Sequence, residues 1–116
     1  MLTINDQTKI YCYLPVTDMR KSIDTLCLLI ADVLLMDPTQ GHLFLFRNRQ
    51  KNKLKMLYYE PNCFNLLYCR LEKGKFIFPK NQEGSIEMSY EHFKWLLASD
   101  KFTELGLIDK KYSHFI

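Results

Sequence analysis

Hydrophobic and polar positions along the chain predict a strand, a helix, and then a series of strands. Lys9 to Leu14 alternates poorly but holds the strand formers Ile10, Tyr11 and Tyr13, and Pro15 ends it. Thr17 or Asp18 is placed to cap a helix. From Asp18 to Leu35, apolar side chains recur at Met19, Ile23, Leu26, Cys27, Ile30, Val33 and Leu34, which is the helical period. Leu28, Leu29, Ala31 and Leu35 widen that face, so the helix is expected to be heavily buried. Asp37-Pro38 stops it, because the residue before a proline resists the α region.

The next stretch reads as a β-hairpin. Its arms, about 42–47 and 53–60, are apolar on both faces: Leu43 and Leu45 oppose Phe44 and Phe46, and Leu57 and Tyr59 oppose Met56 and Tyr58. A strand apolar on both sides is central in its sheet or is covered. Phe64 to Leu71 follows as another strand. Glu72-Lys73-Gly74 makes a turn, and Lys75 to Phe78 returns as a short strand closed by Pro79. Ser85 to Met88 is a further short strand. Ser89 then caps a second helix, with Glu91 in its first turn and Phe93, Leu96 and Leu97 on its apolar side, ending near Ser99. Residues 1–8 read as a lead-in, and 100–116 show no clean period. The expected fold is α+β. A mostly antiparallel sheet of four to six strands carries a long helix from the N-terminal half and a short second one, in a single domain over residues 1–116.

Composition adds a core and subtracts some functions. Hydrophobic residues make up 47% of the 116, enough to bury, and 25% are charged. No run of about 18 apolar residues exists, so no membrane span is expected. Met1 to Asp6 has no basic region followed by an apolar one, so the chain is expected to be cytoplasmic rather than secreted. The four cysteines, 12, 27, 63 and 69, sit among apolar neighbours and form no Cys-x-x-Cys. They read as buried free thiols rather than a metal site. The acids are scattered and no glycine-rich phosphate loop follows a strand, so neither a catalytic site nor a cofactor site is expected.

Net charge is only +3, but it is unevenly spread. Residues 41–80 carry nine basic residues against two acids, while the rest carries seven against eleven. Arg47, Arg49, Lys51, Lys53 and Lys55 occupy alternate positions around the hairpin tip with no acid between them. With the polar Asn48, Gln50 and Asn52 they form a basic finger suited to phosphates or bases. A two-stranded ribbon fits the major groove. Arg70, Lys73 and Lys75 join them as candidate nucleic-acid contacts. Spacing alone leaves open whether these side chains share a face. Arg20 and Lys21, read as part of a first helical turn, oppose the dipole there. They suggest either an ion pair with a nearby acid or a contact with phosphate or a partner.

Several short blocks carry a family resemblance: Val16-Thr17-Asp18-Met19-Arg20-Lys21, Gly41 to Arg49, Lys53 to Tyr59, Tyr68 to Phe76, and Phe78-Pro79. In order and spacing the chain resembles TnpB, the small accessory protein of bacterial IS sixty-six insertion sequences, over about Pro15 to Pro79. Tyr58-Tyr59 stands where tryptophans are usual, and Cys63-Phe64-Asn65 where a glycine-containing turn is common. The resemblance implies a role in transposition beside a separate transposase, and it brings no catalytic residues. Two readings stay open. The finger contacts DNA, or the protein is an adaptor that docks on the transposase or on another accessory protein without touching DNA.

Overall fold

A computed structural model describes residues 4–80 and 84–97. In chain order the elements are β1 (Ile10–Tyr13), α1 (Ile23–Asp32), β2 (Leu43–Arg47), β3 (Lys53–Glu60), β4 (Cys63–Arg70), β5 (Ser85–Met88) and α2 (Tyr90–Leu97). The strands form one sheet in the order β4-β3-β2-β1-β5. Three pairings are antiparallel and one, β1 with β2, is parallel. The sheet is thus mixed, and the parallel pair follows from its connection. A strand that returns beside its predecessor in the same direction needs a crossover, which α1 supplies.

The double-sided apolar strands are central, as their pattern requires. On one face Phe44, Phe46 and Leu57 pack against Leu26 and Ile30 of α1. On the other, Leu43, Leu45, Leu54 and Met56 join Phe93, Leu96 and Leu97 of α2, together with Phe76 and Phe78. The sheet is therefore sandwiched between one helix and the other helix plus an extended segment. Ser89 caps α2, its Oγ accepting the His92 N–H at 3.0 Å. The expected continuation of α2 to Ser99 and residues 100–116 lie outside the described residues.

Three expectations need correction. The long helix is short. Neither Thr17 nor Asp18 caps it; Ser22 holds the N-cap position, without a side-chain bond. Asp18 instead folds a turn, accepting the Lys21 N–H on its carbonyl and the Arg20 N–H on its carboxylate. The helical spacing of Met19 and Ile23 thus carried the pattern one turn too far. Lys75–Phe78 is not a strand, because it crosses the hairpin tip instead of pairing along β4. Finally, α1 is not heavily buried. Only Leu26 and Ile30 are fully covered, while Leu28 and Leu35 are 61% and 83% exposed. A short helix lying on a flat sheet buries one face only.

After α1 the Met36 N–H reaches back to the Ile30 carbonyl at 3.1 Å, with Leu35 in the left-handed region at φ 57. Leucine thus stands in a backbone conformation where glycine is usual. A left-handed non-glycine residue costs about 1–2 kcal/mol, and the Leu35 side chain offsets little of that from solvent. Leu35→Gly is expected to raise the thermal unfolding midpoint, with a gain of about 1 kcal/mol; an unchanged or lower midpoint would mean the exposed leucine is held by something else.

The cysteines divide. Cys12 and Cys69 are buried, Cys27 is half-buried, and Cys63 is exposed at the start of an edge strand, against the expectation of four buried thiols. Burial pushes the Cys12 thiol up to about 12 and Cys69 to about 11.

Candidate nucleic-acid interface

The fold gathers distant basic residues at one end of the sheet. Because β1 and β2 run parallel, both exit at that end, where β3 begins and β4 finishes. Three connections meet there: the segment after β1, the β2–β3 tip and the loop after β4. Backbone bonds tie them together. The Thr17 N–H donates to the Arg47 carbonyl at 2.9 Å, Leu71 N–H to Asn52 at 2.8 Å, and Phe76 N–H to Lys51 at 2.7 Å. The tip is clamped from both sides and presented as a fixed object.

Asn48 organises it from within. Its Oδ1 accepts the Lys53 N–H at 2.9 Å, and its Nδ2 donates to Asn52 Oδ1 at 2.8 Å and to Gln50 Oε1 at 3.2 Å. The Lys51 N–H closes a turn onto the Asn48 carbonyl, with Lys51 in the left-handed region at φ 64. Gly74 takes φ 88 in the neighbouring loop, the conformation its turn position called for. Asn48→Ala strips the side-chain bonds and leaves the Lys53 N–H without its acceptor. The expected cost is about 1–3 kcal/mol, read as a drop in the denaturant midpoint.

The five alternating cations do not share a face. The register pairs Arg47 with Leu54, so Arg47 projects to the α2 side with the odd positions of β2 and the even positions of β3. Lys53 and Lys55 project to the α1 side, opposite Arg70 and Tyr68 of β4. Two members are used by the fold. The Lys55 ammonium is buried, donates to the Lys21 carbonyl at 2.7 Å and lies 5.4 Å from the centre of the Tyr68 ring. Arg47 donates Nη1 to the Phe76 carbonyl at 2.9 Å and stacks 4.3 Å over the Phe78 ring.

The remaining candidates are exposed or partly so. Arg49 stands on the tip, and a groove of about 600 Å³ runs between Asn48–Gln50 and residues 16–20, with Lys53 and Arg20 on its walls. Lys53 faces Arg70 directly across the strands. Like charges so placed repel each other, and folding gains nothing from them. Glu72 approaches Arg70 only at 3.5 Å, with both side chains largely in solvent. Lys73 and Lys75 sit in the loop that buttresses the tip. Arg20 and Lys21 precede α1 rather than opening it. Arg20 closes on Asp18 at 2.6 Å, and its hydrogen bonds hold the Asp18 carboxyl well below the usual range. Among the described residues no group of three or more His, Cys, Asp and Glu side chains is placed to hold a metal ion, and no helix is long and apolar enough to cross a membrane.

Sequence reasoning singled out Arg20 and Lys21, and Arg20 does pair with a nearby acid, Asp18, but it did not place their segment beside the finger. Arg20 joins the finger because Thr17 is stitched to Arg47, a contact no local pattern announces.

Comparison with known proteins gives these features a context. The chain is 35% identical over 88 residues to the uncharacterized protein y4jC of Sinorhizobium fredii, covering 76% of this chain and 75% of that protein. It is 31% identical over 98 residues to a second uncharacterized protein of that organism, y4hO, covering 84% and 85%. No solved structure matches it. The profile described as IS66 Orf2 like protein matches residues 8–106, which takes in every element of the sheet and both helices. The chain belongs to the IS66 Orf2-like family of insertion-sequence proteins.

Proposed function

We propose that the protein is a non-catalytic accessory factor of an insertion-sequence element, and that it contacts DNA through the basic end of its sheet while a separate transposase performs the chemistry. Family membership supports the insertion-sequence role. The observation that carries the DNA reading is the convergence on one clamped surface of Arg20, Arg49, Lys53 and Arg70, with Lys53 and Arg70 directly opposed. Two facing cations become favourable when a phosphate lies between them, since the anion answers both charges. The fixed tip also fits recognition, because little ordering cost remains to be met on binding.

The test is binding of the purified protein to element-end duplex and to random duplex across a salt series. DNA contact predicts affinity that falls steeply with salt, about 0.9 log unit per log unit of salt for each phosphate neutralised. The adaptor reading predicts no measurable affinity at low salt for either duplex.

A further inference from the structure

The α2 side of the same sheet end carries a second groove, of about 620 Å³, between Leu14-Pro15 after β1 and the segment 75–80. Its character differs from the α1-side groove. Phe76 and Phe78 form a buried apolar floor, and Ile77 between them is 55% exposed. Arg47, Lys51, Lys75 and Lys80 surround it, and among the described residues no acid lines it.

Arg47 is the unusual member. Its guanidinium is half-buried and held in place by the Phe76 carbonyl and the Phe78 ring. Among the described residues no carboxylate pairs with it. Burial works against its charged form, lowering its pKa. A guanidinium has five N–H donors in a rigid fork that matches a carboxylate, and among the described residues only Nη1 has a hydrogen-bond partner. A partly desolvated charge without a counter-ion is unfavourable, and a bound carboxylate offsets that cost.

We propose that this groove docks an acidic peptide segment of a partner protein, with an Asp or Glu carboxylate on Arg47 and an adjacent apolar side chain on Ile77. Further acids of the segment face Lys51, Lys75 and Lys80. Charge complementarity selects an acidic occupant, and the apolar floor selects peptide over nucleic acid. A nucleic-acid strand needs an open cationic track and exposed rings for its bases; here apolar surface separates the cations, and both phenyl rings are buried. The sheet keeps this site apart from the α1-side surface, so the two contacts are independent.

The experiment uses the full chain and a fluorescein-labelled peptide in which Glu and Leu recur between Gly and Ser spacers, read by fluorescence anisotropy. Parallel probes carry Gln for Glu, Ser for Leu, or are labelled oligothymidylate of equal charge. Of the peptides only the one with both Glu and Leu is expected to bind, and oligothymidylate, held at the α1-side surface, should not respond to Ile77→Ser. Ile77→Ser, at an exposed position, should weaken it about tenfold or more. Lys75→Gln with Lys80→Gln should weaken it and reduce its salt dependence, and Arg47→Lys should weaken it by removing the fork while keeping the charge. Should Arg47→Lys fail to fold, Ile77→Ser decides alone. DNA affinity in Ile77→Ser should stay unchanged, so failure here leaves the α1-side reading standing. Equal binding of the Gln peptide, oligothymidylate binding that falls equally with Ile77→Ser, or no saturable peptide binding up to about 1 mM would each overturn the proposal.

Discussion

Replacing Arg49, Lys53 and Arg70 together with alanine is expected to flatten the plot of log affinity for DNA against log salt by roughly two to three units. Each phosphate contact releases condensed counterions, so three lost contacts remove about 0.9 unit apiece. The three belong together because they share the α1 side of the sheet end, with Lys53 and Arg70 as cross-strand partners. Arg49 projects from the tip that Asn48 and the neighbouring loops hold fixed. Stability should hold or rise slightly. Exposed charges contribute little to folding, and the substitution relieves a repulsion. Lys51→Gln serves as the comparison, since Lys51 borders the other groove. A triple variant with an unchanged salt slope would show that the α1 side is not where phosphates lie.

Phe44→Ala should destabilise the protein by about 3–5 kcal/mol. Phe44 is 1% exposed and sits under α1 among Leu26, Ile30 and Leu57. The Tyr11 ring stacks beside it at 5.7 Å between centroids. Because β2 is central and rigidly paired on both sides, its backbone cannot move in to fill the space. Small domains are stable by only about 5–15 kcal/mol, so such a loss removes a large share of the total. Leu28→Ala provides the contrast: the same helix, an exposed side chain, and a change expected within about 0.5 kcal/mol. Equal denaturant midpoints for the two variants would mean that α1 does not lie over Phe44.

The hairpin was legible because its evidence is double. Apolar side chains on both faces of Leu43–Phe46 and Lys53–Tyr59 demand cover on both sides, and the two helices supply it. The helix limits were less legible. Periodicity registers a side chain's position but not its backbone, so Met19 looked helical although Asp18 had turned the chain. Leu28 and Leu35 looked like core because apolar residues ring α1, yet a flat sheet covers only one side of it. The basic finger was half legible. Alternation left open whether the cations form one stripe; the register across the tip reverses parity, sending Arg47 to one face and Lys53 to the other. Charge density was in the sequence; its partition depended on how the strands pair. The role of Lys55 as a tether for Lys21 depends on the loop after β1, which no spacing rule connects to β3.

The position of β1 bears on how the chain can be made. Ile10–Tyr13 lies between β2 and β5, and its second neighbour is residues 85–88. A ribosome delivers that neighbour about 70 residues later, after roughly 4 to 14 seconds of further synthesis. Throughout that interval one margin of β1 has no hydrogen-bond partner, and Ile10 and Cys12, wholly buried in the finished protein, lack the cover of Met88 and α2. The nascent chain therefore passes through a stage that invites pairing with other unfinished chains. Closure of the sheet is a late, long-range event, so translation stalled before Ser85 should yield aggregates rather than a smaller folded product.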